Sequence, residues 1–359
     1  MINLIGMPNE ELINWCLSKG EKGFRAKQLL SWIHKKNIID FNSMSDLSKN
    51  FRDLLSQEAS VFLPKIENSY QSLDGSKKWL LNLGAGNVVE TVLIPDKDRN
   101  TLCISSQAGC AVDCSFCSTG SQGFSRNLTS DEIIAQLWIA KNSTKGRISN
   151  VVMMGMGEPL LNFNNLIRAL MIMTDDDAYG LSKRKITVST SGVVPMINKL
   201  ADNSPVGLAV SLHAGNDELR SKLVPMNKKY PINLLLDACK DYLLRTSTGF
   251  ITFEITMLKG VNDKLSHARE IVDKIRKKNI NCKFNLIPFN SFPHSGFECS
   301  SPKTIEKYSK FIQAEGYIAT SRKTRGDDIS AACGQLAGEI VDRTKIKERK
   351  AFFFRGVSR

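Results

Sequence analysis

Apolar residues recur along this chain with two different periods, and the change of period divides it. Over residues 1–60 the spacing is helical. Leu12, Ile13, Cys16 and Leu17 follow Pro8, Asn9, Glu10 and Glu11 and stop at Gly20. In FRAKQLLSWIHKK, Leu29, Leu30 and Ile33 share one face, and Arg25, Lys27, Lys35 and Lys36 lie elsewhere. From residue 61 the pattern shortens to period two. Trp79 to Leu83, a turn at Gly84–Asn87 and the run VVETVLI predict a β-hairpin. TLCIS at 101–105 predicts a further strand. Beyond it, strands at 150–154, 185–189, 207–212, 251–255 and 283–287 alternate with helices starting at 128 and lying near 166–173, 193–200, 232–245, 266–278 and 303–315. Six strand–helix units in series predict an α/β fold with a parallel sheet and right-handed crossovers, two units short of a full eightfold barrel. The predicted pieces are an N-terminal helical domain (1–60), a β-hairpin extension (61–100), a core (101–327) and a C-terminal segment (328–359).

Composition narrows the picture. Of 359 residues, 42% are hydrophobic and 24% charged, which excludes wholesale disorder. Apolar runs fall far short of the roughly 18 residues that a membrane span needs. The start, MINLIGMPNEE, carries acids where a secretory signal needs bases, so a cytoplasmic protein is expected. The net charge is +13, from 49 bases and 36 acids, which suggests a polyanionic partner. Lys183, Arg184 and Lys185, the run Arg322 to Arg325 and the basic tail from Val341 are candidate phosphate contacts, although each such run is more often a solvated face. The bases of residues 1–60 have the same two readings, so that segment either grips nucleic acid or buttresses the core. The chain has nine cysteines and no export signal. Metal binding or thiol chemistry is therefore expected rather than a disulfide framework.

Three of the nine are Cys110, Cys114 and Cys117, in CAVDCSFC, on the loop between the strand at 101–105 and the following helix. In parallel α/β folds these loops build the sites. Three thiolates make a soft donor set suited to zinc or to iron–sulfur, but a structural zinc site needs a fourth ligand, and none is near. This spacing, with Phe116 before the last cysteine, resembles the signature of radical S-adenosylmethionine (SAM) enzymes. The resemblance implies a partial (β/α)6 barrel. It also implies a [4Fe–4S] cluster on the three cysteines, with SAM chelating the fourth iron and being cleaved to a 5′-deoxyadenosyl radical. Gly155-Met-Gly157-Glu158-Pro159 is similar to the family's motif at the SAM amino group. Ser189, then Ser211, Leu212 and His213, and finally Asn290 end later strands and match SAM ribose, carboxylate and adenosine contacts.

Over nearly its whole length the chain resembles the adenine-C2 methyltransferases of ribosomal and transfer RNA. TLCISSQAGCAVDCSFCSTGSQGFSRNL, MMGMGEPLLN, SLHAGNDELRSKLVPMN, FNLIPFNSFPHSGFE and RGDDISAACGQL carry the likeness in order. C2 of adenine is electron-poor with a non-acidic hydrogen, so it does not attack a SAM methyl group as an amine would, whereas a carbon radical adds to it. The resemblance implies two SAM molecules per turnover. One methylates Cys333, and the other supplies the radical that takes a hydrogen from that methyl group. Cys103 then resolves the protein–RNA adduct, by removing the C2 proton or by a transient disulfide with Cys333. Glu90 is the one charge in VVETVLI and shares a face with Val88, Val92 and Ile94. The resemblance makes it a proton acceptor or an anchor for the adenine edge; the bland alternative is a strand-edge glutamate facing water. Cys16, Cys239, Cys282 and Cys299 are expected to be buried structural thiols. The implied partners are 23S rRNA, tRNA and a flavodoxin- or ferredoxin-like electron donor, acting on a monomer with no membrane partner. The sister family that methylates C8 of adenine is the nearest rival; SFPHSGFE and CSTGSQGF favour C2.

Overall fold

The computed structural model describes residues 1–96, 99–144, 146–292 and 295–344. Two-residue strands β1 (Ile2–Asn3) and β2 (Ala59–Ser60) pair in parallel and close the N-terminal segment on itself. Between them lie α1 (Asn9–Ser18), α2 (Arg25–Leu30) and α3 (Lys49–Glu58), the last capped by Ser48, whose hydroxyl accepts from Phe51 N. α2 continues into a π-helical turn at Ser31–Lys35 that buries Trp32, Ile33 and His34.

A ten-stranded sheet follows. β3 (Lys65–Gln71), β4 (Lys77–Asn82), β5 (Val88–Asp96) and β6 (Arg99–Cys103) are antiparallel neighbours. A small pair, β7 (Gln107–Gly109) and β8 (Phe124–Asn127), brackets the short helix α4 (Ser118–Gln122). Then β9 (Ile148–Met153), β10 (Ile186–Thr190), β11 (Gly207–Ser211), β12 (Ile251–Met257), β13 (Cys282–Pro288) and β14 (Ile318–Ser321) extend from β6, all parallel. The parallel part therefore has seven strands, one more than the sequence pattern predicts. β14 is four residues long and buries only Ala319, too little alternation to read. The all-exposed β3 was equally illegible. The architecture agrees with the expected partial barrel, N-terminal helices and hairpin extension.

The crossovers are α5 (Ser130–Asn142), α6 (Phe163–Thr174), α7 (Val194–Asn203), α8 (Asp217–Leu223), α9 (Ile232–Arg245), α10 (Leu265–Lys278) and α11 (Pro302–Ala314). α5 opens with a Thr129/Glu132 capping box. It is apolar nearly all round because the N-terminal segment docks on it. Trp138 Nε1 donates to Ile33 O, Lys141 Nζ to His34 O and Ser130 Oγ to Gly6 O. Among the described residues no helix is long and apolar enough to cross a membrane. Cys16, Cys239 and Cys282 are buried as expected, but Cys299 is exposed, although its neighbour Ser300 is buried and donates to Asp263. The basic tail from 345 onwards lies outside the described residues.

Candidate active site

The loop after β6 is built by close backbone approach. Cys110 N donates to Gly123 O at 2.7 Å, and a Cβ on Gly109 would come within 2.2 Å of that same oxygen. Gly109 has φ +78°, so glycine is required there. The GMGEP loop after β9 zips onto the stretch just before the cysteines: Gly155 N donates to Ile104 O, and Ser106 N and Gln107 N to Met156 O. Gly157 has φ +99°, and a Cβ there would meet Gln107 N at 2.8 Å. These contacts set the two loops side by side at the C-terminal ends of the strands.

One cavity of about 150 Å³ collects most of the expected residues: Cys110, Cys114 and Cys117 on one wall, and Gly157, Glu158, Ser189, Ser211, His213 and Cys333 around it. Burial pushes the Cys110 and Cys114 thiols well above the ordinary range, and each is raised further by its cysteine neighbours. Among the described residues no three His, Cys, Asp or Glu groups form a set that could hold a single metal ion. Three thiols that line one cavity and lie near enough to raise one another are a donor set that fits an iron–sulfur cluster. Glu158 accepts from Ser191 N and Oγ, both at 2.7 Å, and from Leu160 N, while burial raises its carboxyl. His213 Nδ1 accepts from Thr256 N at 3.0 Å, and burial lowers its pKa to about 3. The ring is then neutral with its proton on Nε2. That atom is buried and has no hydrogen-bond partner among the described residues, so it presents an unused donor at the cavity. An unpaired buried donor is costly, and a bound polar group would satisfy it.

A second cavity, of about 480 Å³, adjoins the first and is bordered by Thr101, Asn290, Arg322, Lys323, Arg325 and Cys333, among others. Cys333 and Arg322 border both. Asn290 lies in this outer cavity, where its Nδ2 donates to Cys333 O at 3.0 Å. Leu212 is buried and borders neither; its N donates to Glu254 O.

Sheet register accounts for the rest. Cys103 pairs with Val92, Val92 with Lys78, and Glu90 with Leu80, so Cys103, Lys78 and Glu90 share one face. The Cys333 segment lies over that face. Cys103 is buried and close enough to Cys333 for the second thiol to help burial raise its pKa to about 12. The disulfide implied between them is not formed in this structure: none of the nine cysteines is disulfide-bonded. Glu90 is 4% exposed, which excludes the water-facing alternative, but it borders neither cavity. Its carboxylate pairs with Lys78 Nζ at 3.2 Å and accepts from Ala337 N at 3.3 Å. Burial raises the Glu90 carboxyl and Lys78 opposes that.

Three participants escaped the sequence reading. Glu254 on β12 borders the inner cavity, accepting from Ser189 Oγ and from Asn285 Nδ2, and lies 3.9 Å from Arg322. Arg322, read only as part of a basic run, is the one cation bordering the inner cavity among the described residues. Its charge opposes burial at both Cys333 and Cys103. Arg220, fully buried, donates to the carbonyls of Ser191, Ser211 and Leu212 and so holds the ends of β10 and β11 together. An acidic residue in a strand and an arginine in a run of bases carry no local signal of these roles.

Comparison with known proteins agrees with this geometry. Residues 104–272 match the model of the radical SAM superfamily, and residues 2–61 match that of the ribosomal RNA large subunit methyltransferase N-terminal domain. A radical SAM methyltransferase from Sphaerobacter thermophilus is 39% identical, with a TM-score of 0.87 over 94% of this chain and 99% of that one. A domain of pyruvate-formate lyase-activating enzyme from Bacteroides vulgatus is 16% identical, with a TM-score of 0.38 over 49% of this chain and 99% of that one. A spore photoproduct lyase mutant is 12% identical, with a TM-score of 0.44 over 62% and 76%. On the first of these structural likenesses and the two family matches, the chain belongs to the radical SAM methyltransferases, of the type that carries the ribosomal RNA large subunit methyltransferase N-terminal domain.

Proposed function

We propose that this protein methylates C2 of an adenine in 23S rRNA and of an adenine in the anticodon loop of tRNAs, using Cys333 as a methyl carrier. The observation that carries this reading is the place of Cys333 on the border of two cavities, one walled by three thiols and the other rimmed by bases. The family implies a [4Fe–4S] cluster and SAM. Cys110, Cys114 and Cys117 would hold the cluster, and Gly157, Glu158, Ser189, Ser211 and His213 the SAM. Bound there, the pair would supply one-electron cleavage of SAM and a hydrogen-abstracting radical.

The chain's own residues do the remainder. The Cys333 thiol must lose its proton to accept a methyl group, and Arg322 is the charge that favours its ionised form. The S-methyl group would give one hydrogen atom to the SAM-derived radical, and its carbon would bond to C2. Loss of the C2 proton, cleavage of the carbon–sulfur bond as a thiolate attacks the Cys333 sulfur, and protonation of the freed carbon would then leave the methyl group on C2. The unpaired electron would pass to the electron-transfer partner, and an external thiol would reduce the resulting disulfide. Cys103, on β6, would take the C2 proton or displace Cys333 by a transient disulfide. The outer cavity would admit an adenine extruded from its stack. Lys323 and Arg325 at its rim, with the exposed Lys183, Arg184 and Lys185 elsewhere on the surface, would meet phosphates. Asn290 is tied to Cys333 O rather than to the inner cavity, which favours a part in placing Cys333 over an adenosine contact to SAM. An electron donor of the flavodoxin or ferredoxin kind would serve a monomer.

Anaerobic reconstitution with SAM, reductant and RNA tests the reading, with the RNA digested to nucleosides. 2-Methyladenosine is the expected product. 8-Methyladenosine would place the chain with the sister chemistry, and unmodified RNA would overturn the assignment.

A further inference from the structure

As far as residue 344, the segment that carries Cys333 has almost no secondary structure of its own, only a three-residue 3-10 turn at Asp327–Ile329. Its position is set from outside: Asn290 Nδ2 donates to Cys333 O and Gln335 Nε2 to Ser291 O beyond β13, and two further sets of contacts flank them. One comes from α4, immediately after Cys117. Ser118 N donates to Gly334 O at 2.8 Å, Thr119 Oγ1 to Leu336 O at 2.7 Å and Gln122 Nε2 to Gly338 O at 2.7 Å. The other comes from the β-hairpin. Ser72 Oγ donates to Asp328, Gly326 N donates to Asp74, and Val88 N donates to Glu339 O.

Within the hairpin face one buried ion pair reaches both sides of Cys333. Lys78 Nζ donates to Ser330 O at 3.2 Å, three residues before the cysteine. Glu90 Oε2 accepts from Ala337 N at 3.3 Å, four residues after it. Lys78 and Glu90 are joined to each other at 3.2 Å, with side chains 8% and 6% exposed. Their positions follow from register. Lys78 faces Val92, two residues along from Glu90, so the two long side chains meet diagonally on one face. A buried pair of this kind costs desolvation and is a poor source of net stability. Its geometry is instead that of a brace: Lys78 Nζ donates both to Glu90 Oε1 and to Ser330 O, and Glu90 keeps Oε1 for Lys78 and Oε2 for Ala337 N.

We propose that Lys78 and Glu90 form a single positioning pair that bridges the Cys333 segment at Ser330 and Ala337 and so fixes the sulfur on the border between the two cavities. Lys78 is thereby a functional residue, and Glu90 acts through Cys333 rather than on the substrate base. The proposal rests on Cys333 as the methyl carrier, but the placement of the thiol is measurable without any RNA.

The test uses the full-length, cluster-loaded protein as wild type, Lys78→Met, Lys78→Arg and Glu90→Gln. Two rates are followed by peptide mass spectrometry without RNA: alkylation of Cys333 by iodoacetamide, and SAM-dependent methylation of Cys333. Release of the segment should raise alkylation about tenfold in Lys78→Met and in Glu90→Gln and slow methylation comparably. Lys78→Arg, which keeps the charge and the donors, should restore both. If Lys78→Met does not fold, Lys78→Gln, neutral but still able to donate, carries the same comparison. Unchanged Cys333 rates in the Lys78 variants, with Glu90→Gln blocked only at the RNA step, would overturn the pairing and make Glu90 a group acting on the base. Lowered thermal stability with unchanged Cys333 rates would reduce the pair to a structural one and equally overturn it. Failure of the RNA methylation reading would appear as missing methyladenosine and leave the alkylation comparison intact.

Discussion

Arg322 and Cys333 border the inner and the outer cavity together, and the guanidinium is the charge that most opposes the effect of burial on that thiol. The thiolate is the nucleophile, so removing the charge must move its formation to higher pH. Arg322→Gln is expected to shift the pH profile of Cys333 alkylation upward, and Arg322→Lys to shift it less. An unmoved profile in Arg322→Gln would show that Arg322 does not govern this thiol.

Replacing Cys333 by alanine separates chemistry from binding. Cys333→Ala should form no methylated adenine while retaining iron content and RNA affinity. Methyladenosine detected by mass spectrometry in that variant would remove Cys333 from the carrier role.

Cys103→Ala tests resolution of the adduct. The buried Cys103 thiol sits beside Cys333, with its pKa raised to about 12, so it is poorly suited to be the first nucleophile and better placed to act later. The variant should accumulate a covalent protein–RNA species on a denaturing gel, sensitive to nuclease. Free, unmodified RNA alone would count against a resolving role.

RNA affinity should fall linearly with salt on logarithmic axes. Lys323→Ala, at the rim of the outer cavity, should weaken binding and flatten the slope by about one unit if it meets a phosphate. A slope equal to that of wild type would place the phosphates elsewhere.

His34 gives a prediction about stability. It is fully buried in the π-helical turn, neither ring nitrogen has a hydrogen-bond partner among the described residues, and burial lowers its pKa to about 3. The unfolded chain binds its proton below about pH 6.5 while the folded chain does not. Stability should therefore fall with acidification, by up to about 1.4 kcal/mol per pH unit from this group, and rise again with pH toward 6.5. His34→Leu, which leaves no unsatisfied nitrogen, should lose less stability than wild type between pH 7.5 and 5.5 in urea titrations. Equal losses would show that His34 is protonated in the fold.

The parts legible in the sequence were those whose chemistry is local. Cys110, Cys114 and Cys117 fall in one loop, and GMGEP needs its glycines because backbone meets backbone within the next loop. Both could be placed from strand–helix alternation alone. The helices around 232–245 and 266–278 were read closely, because each buries one face against the sheet and that burial is written in period 3.6. Short, exposed strands such as Ile318–Ser321 bury too little to leave a pattern. Glu90 was conspicuous as a lone charge among apolar neighbours, yet its partner Lys78 was not, because only the pairing of two strands brings the residues diagonally together.

The sequence by itself determined the family, the gathering of three cysteines in one loop and the alternation of six strands with helices, since each is written in neighbours within a few positions. The tertiary structure decided what those parts are held against. It placed Cys333 between two cavities, put Arg322 and Glu254 beside it, tied its segment to Lys78 and Glu90, and joined Asn290 to Cys333 O. Such relationships join residues up to some 250 positions apart. They arise from the register of a ten-stranded sheet and the burial of charge, and no stretch of local sequence encodes either.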